Sequence, residues 1–218
     1  MTTHALIIGQ APNDPAHPEI PDWEYDVREA ARLFAEADVT PTVIAINGAG
    51  MHYLNHIDYW VSLHGEHLLE WIPRRLAEGG NGDVSVHGSF GVGNGYENPW
   101  ESNGITLVRE QRPNPGGGSA HAAVDIAREK WGIDRFTLAG CPLTGLLRVP
   151  YGGIGDTNSS GVTCPTVNGL SKPNQEAGFP AYRRGWINQY KQLKDIVRSL
   201  SGWTREKYGP PTIEWMQE

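Results

Sequence analysis

Two histidines three residues apart, His64 and His67, flank Glu66 where the apolar run "DYWVSLH" (58–64) gives way to a helical pattern. An imidazole at a strand end suits a general base, because its unperturbed pKa lies near neutrality; the same ring could equally cap the following helix. Two imidazoles could also share a metal, but no third ligand stands at a recognisable spacing, so no metal is expected. Further along, Gly116, Gly117 and Gly118 lead into Ser119 and an alanine-rich helix. A glycine run opening a helix can cradle an anion, since free N–H groups and the positive dipole end face a ligand with no side chain in the way; a flexible turn is the plainer alternative. Neither G-x-G-x-x-G nor G-x-x-x-x-G-K-[ST] occurs where the fold would need it, which excludes an ordinary dinucleotide fold or P-loop. Asn47 closes the run "TVIAIN" and could read a nucleobase or ribose through its amide, or serve only as the turn asparagine of "NG". The opening "ALIIGQAPN" (5–13) runs an apolar strand into Gly9, and so delivers Gly9, Gln10, Pro12 and Asn13 to whatever lies above it.

These residues need elements to hold them. Residues 4–9 and 42–47 read as strands joined by an amphipathic helix from Trp23 to about Ala37, with Asp22 as N-cap and Val27, Ala30, Ala31 and Phe34 on one face. That is a βαβ unit, which lays its strands parallel and gathers ligand loops at their carboxyl ends. Strands follow at 58–64, 83–88 and 135–140. Between the first two lies a helix "EHLLEWIPRRLAEG" that Pro73 should bend or divide, its Arg74 and Arg75 read as a solvated face. The helix "SAHAAVDIAREKWG" ends at Gly132, a suitable C′ residue. If the sheet is parallel, Gly9, Asn47, His64, His87 and Gly140 share one rim. The expectation is one α/β, Rossmann-like domain over residues 1–218, a mostly parallel sheet with flanking helices. Residues 144–180 carry seven glycines and no apolar period, and read as a lid or binding loop. A last helix is expected at about 182–201, followed by a tail that packs back through Trp203, Ile213 and Trp215.

Composition narrows the class. A net charge of −7 with no dense Lys/Arg block disfavours nucleic-acid binding. No apolar run approaches 18 residues and no basic-then-apolar start is present, so neither a membrane span nor a secretion signal is expected and the setting reads as cytoplasmic. Cys141 and Cys164 read as free thiols; Cys141 is either a small space-filling residue at a strand end or a nucleophile.

The order "IIGQAPN", "VIAINGAG", "DYWVSLH", "GGGSAHAAVDIAREKWGIDRFTLAGCPL" resembles glycosyltransferase family 42, the bacterial sialyltransferases, and the related 6-hydroxymethylpterin pyrophosphokinase-like Rossmann proteins (DUF115). The resemblance spans roughly residues 4–143. It implies that Gly9, Gln10, Ala11, Pro12 and Asn13 form a nucleotide loop, that Asn47 and the helix start at Gly118, Ser119 and Ala120 hold a cytidine nucleotide or similar ligand, and that Gly140 closes the base pocket. The chain departs from that pattern in reading "GQAPN" for a Gly-Pro-Ser type ending, and in having no histidine after His121, where the family's lid supplies its base. His64 or His87 would have to take that place. The closing "SLSGWTREKYGPPTIEW" resembles the tail of small phage-encoded proteins, which would place the protein in a host cytoplasm.

The expected function is binding of a nucleotide or nucleotide-sugar as substrate, without a further cofactor, by a metal-independent glycosyltransferase-like enzyme with His64 as base and an unspecified acceptor. The alternative from another class is a non-catalytic phage-type binding or assembly protein, with eight tryptophans supplying partner contacts and a homo-oligomer possible. N-glycosidic cleavage would need a carboxylate, for which Asp58, Glu66 and Asp125 are candidates.

Overall fold

A computed structural model describes residues 2–10, 23–63, 65–88, 98–110, 118–143 and 178–218. Seven strands form one sheet: β1 (His4–Ile8), β2 (Thr42–Ile46), β3 (Tyr59–Ser62), β4 (Ser85–Gly88), β5 (Thr106–Arg109), β6 (Arg135–Ala139) and β7 (Val197–Ser199). Their order is β5-β4-β3-β2-β1-β6-β7, and every neighbouring pair is parallel. Parallel strands buried on both faces need apolar residues at successive positions, and "HALII" is buried throughout.

Helices cover both faces. On one side lie α1 (Trp23–Ala37), the single turn α2 (Ala49–His52) and α3 (Gly65–Ala77). Leu6, Ile8, Ala30, Phe34 and Ala139 pack together there, and a second cluster joins Ala45, Trp60 and Val86 to Leu68, Trp71 and Ile72. On the other face α4 (Gly118–Lys130) and α5 (Gly178–Asn188) contribute Ala123, Val124, Ala127 and Trp186 to a core with Ile7, Ile44, Val61, Phe136 and Leu138. The chain continues through α6 (Tyr190–Leu193), β7, α7 (Gly202–Tyr208) and α8 (Ile213–Gln217), and Trp215 and Met216 of α8 close over the α1 side. The expected tail packing is therefore observed, as is the α/β architecture. No helix among the described residues is long and apolar enough to cross a membrane.

Four local differences from the sequence reading have physical reasons. α3 runs unbroken through Pro73, because residues on both sides of it, Leu68, Trp71, Ile72 and Arg75, are buried and hold the two halves in line. The segment "ITLV" (105–108), to which the sequence reading assigns no strand, lies mostly in β5 at the sheet edge, where the exposed Thr106 and Arg109 obscure the apolar signal. The stripe expected to make one helix over 182–201 instead divides into α5, α6 and β7. Val197 satisfies a helical period and a strand period alike, and the ladder with Phe136 and Leu138 decides for the strand. Arg75 is fully buried, not a solvated cation. Its guanidinium donates to the carbonyls of Gly50, Tyr53, Asn55 and Asn81 and to Asn81 Oδ1, tying the β2–β3 connection to the end of α3. Burial pushes its pKa down to about 10, which still leaves it charged at neutrality.

Candidate functional site

The strand order reverses at β1. From β1 the chain adds strands outward to β5, then returns through α4 to place β6 on the other side of β1. In open parallel sheets ligands bind outside the carboxyl ends at such a switch. Here that point is formed by Gly9 and Gly140. Gly9 N–H donates to Ala139 O at 2.8 Å, and the two glycines sit back to back. A Cβ on Gly9 would lie 2.5 Å from Gly140 O, and one on Gly140 would lie 2.3 Å from Gly9 O. The absence of side chains at both positions is thus required by the approach of the two strand ends. Gly140 also has φ +64°, and its N–H donates at 2.8 Å to Asp26 Oδ2, a buried carboxylate that accepts from Ser201 Oγ at 2.5 Å. Gln10, half-buried, follows at the exit of β1. Pro12, Asn13, Gly117 and His64 lie outside the described residues.

Cys141 follows Gly140 and is buried. Burial, reinforced by the Asp26 charge, pushes its thiol up to about 12, so it is a packed thiol and no thiolate nucleophile at neutral pH.

Asn47 stands at the end of β2, next to β1, with φ +48°, a left-handed conformation that asparagine tolerates better than most residues. Its backbone carbonyl accepts from Trp60 Nε1 at 2.7 Å, which holds the turn against β3. Its side-chain Oδ1 accepts from Ser62 Oγ at 3.0 Å and Ser119 Oγ at 2.8 Å, while Ser119 Oγ in turn accepts from Leu63 N–H at 3.3 Å. One amide side chain therefore gathers the ends of β2 and β3 and the start of α4. Its Nδ2 donor is left with no hydrogen-bond partner among the described residues.

The sequence reading takes Ser119 as a direct ligand contact. The structure places it 6% exposed, with its single hydroxyl proton on Asn47. What α4 presents at the rim is its first amides, which have no i−4 carbonyl inside the helix. Gly118, φ +70°, lets the chain enter the helix, and its Cβ position faces the Tyr182 ring at 3.4 Å. The sequence places the segment 62–67 on the rim but gives no role to Ser62, whose hydroxyl meets Asn47. Tyr182 is the neighbour with no local signal, since only tertiary packing brings it to α4.

Replacing Ser119 with alanine should lower stability by about 1–2 kcal/mol, since Leu63 N–H loses its acceptor and Asn47 one of its two donors. Urea denaturation of the purified variant checks this; an unchanged midpoint would mean that the cross-link carries no weight.

His87, the other candidate base, is separated from Asn47 by β3, and its Nδ1 bonds Glu110 Oε1 at 2.8 Å. His67 stacks on Trp71 with ring centroids 5.3 Å apart. Among the described residues no group of three or more His, Cys, Asp or Glu side chains is arranged to hold a metal. Comparison with protein-family models, curated proteins and solved structures finds no match to this chain.

Proposed function

We propose that the chain binds a nucleotide or nucleotide-sugar at the carboxyl rim of the sheet and acts as a glycosyltransferase-like enzyme. One observation supports this above the others. The topological switch at Gly9 and Gly140, the left-handed Asn47 and the amino end of the 13-residue α4 fall on adjacent elements of a single rim. The α4 amides suit the phosphate, and the Asn47 Nδ2 donor suits a carbonyl or hydroxyl of base or ribose. Transfer would then need a base to take the acceptor hydroxyl's proton while the helix amides meet the charge on the departing phosphate. His64 is the residue proposed for that proton. A nucleotide-sugar donor would also fit a cytoplasmic setting.

Isothermal titration with the cytidine, uridine, adenosine and guanosine nucleotides and their sugar conjugates tests the reading. A saturable heat with one base is expected. Melting at 100 times the dissociation constant should then show about 2.7 kcal/mol of added stability. The absence of binding heat with every one of these ligands would overturn it in favour of a non-catalytic module.

A further inference from the structure

A second constellation lies on the outer half of the sheet, on the α4 face. Ser85 and His87 are two residues apart on β4, and so point to the same side. Ser85 Oγ lies 3.2 Å from His87 Nε2, His87 Nδ1 lies 2.8 Å from Glu110 Oε1, and Lys130 Nζ of α4 lies 2.6 Å from that same oxygen. The directions of these bonds follow from charge. A carboxylate only accepts, so His87 Nδ1 carries the proton, and a neutral imidazole then offers Nε2 as an acceptor to the serine hydroxyl.

Burial alone would raise the Glu110 carboxyl, but hydrogen bonds from His87 and Lys130 and the Lys130 charge hold it below its usual range. Burial pushes His87 below its ordinary value despite Glu110, so the ring is neutral at pH 7. Among the described residues, the titratable groups around it are Tyr59 on β3, Glu110 after β5 and Lys130 on α4; Trp131 packs edge-on at 4.9 Å. His87 and Glu110 are buried, while Ser85 is half-buried and its register partner Thr106 is exposed. The hydroxyl therefore stands at the surface with its base and orienting carboxylate beneath it.

We propose that Ser85 is an activated nucleophile that takes an acyl group from an uncharged ester, with His87 as general base and Glu110 as the group that orients it. In the first half, the Ser85 Oγ–acyl carbon bond forms and the bond from that carbon to the leaving oxygen breaks. The hydroxyl proton passes to His87 Nε2 and on to the departing oxygen. In the second half, water gives its proton to His87, its oxygen bonds the acyl carbon, and Ser85 leaves with that proton restored. Thr106 stands opposite Ser85 in the β4–β5 register, so its hydroxyl is a same-face donor to the acyl oxygen. Such a site suits esters with good leaving groups, aryl esters foremost, and not amides.

The test is labelling of the full chain with a fluorophosphonate probe, followed by intact mass and peptide mapping, alongside hydrolysis of p-nitrophenyl acetate. One adduct on Ser85 is expected. Its rate should be level through pH 7–8 and fall only below the ordinary imidazole range, where His87 protonates. Ser85→Ala, which removes only a half-buried hydroxyl, should abolish the adduct with an unchanged melting curve, and Glu110→Gln should slow labelling about 100-fold or more. No adduct on the wild-type chain, an adduct on another residue, or labelling of Ser85→Ala at the wild-type rate would overturn the proposal. Because the wild-type pH profile needs no variant, the conclusion stands even if Glu110→Gln fails to fold.

Discussion

Arg75→Met is expected to lose about 3–5 kcal/mol of stability, a large share of what a domain of this size holds. The side chain is fully buried and has five acceptors, four of them backbone carbonyls in the turns at 50–55 and 81. Methionine fills much of the volume but donates nothing, so those carbonyls are stranded away from water. Arg75→Lys should recover only part of the loss. One ammonium has three donors on a single atom and cannot span acceptors that the planar guanidinium reaches from both edges. Guanidinium chloride denaturation of the three proteins gives the ranking wild type, Lys, Met; a methionine variant within about 1 kcal/mol of wild type would show that water replaces the guanidinium in those turns.

Gly140→Ala should be about as damaging, at about 3–5 kcal/mol, and for two separable reasons. Its φ of +64° strains any L side chain, and the added Cβ would stand 2.3 Å from Gly9 O and 2.6 Å from Trp23 Cβ. Gly132 supplies the control. It has φ +66° but nothing within 4 Å of its Cβ position, so Gly132→Ala should show the backbone strain alone, about 1–2 kcal/mol. The difference between the two variants measures how firmly β1 and β6 are pressed together at the rim. Equal losses would mean that the strand ends part easily. A folded Gly140→Ala protein would also be expected to lose the proposed nucleotide affinity, since Gly9 and Gly140 could not both keep their places.

How much of this was legible in the residues differs from element to element, for physical reasons. The α/β class and the extent of α1 followed from local signals: an apolar run of strand length, then a 3.6-residue period ending at Ala37. The adjacency of Gly9 and Asn47 followed from the βαβ rule, which needs only the chain order. Buried parallel strands are written as continuous apolar runs, so β1, β2, β3 and β6 could be read directly. β5 and β7 could not, because an edge strand shows exposed residues or a pattern too short to distinguish from a helix. The same holds for the site. The sequence alone could nominate Asn47, Ser119, Gly9 and Gly140, because glycine, asparagine and serine at strand ends and helix starts are recognisable locally. It could not say that Ser119's proton is already spent on Asn47, that Gly9 and Gly140 are small on each other's account, or that Arg75 is buried. Nor could it pair His87 with Glu110, 23 residues on. Those facts depend on side chains from distant segments competing for the same few ångströms, and only the folded chain settles which of them meet.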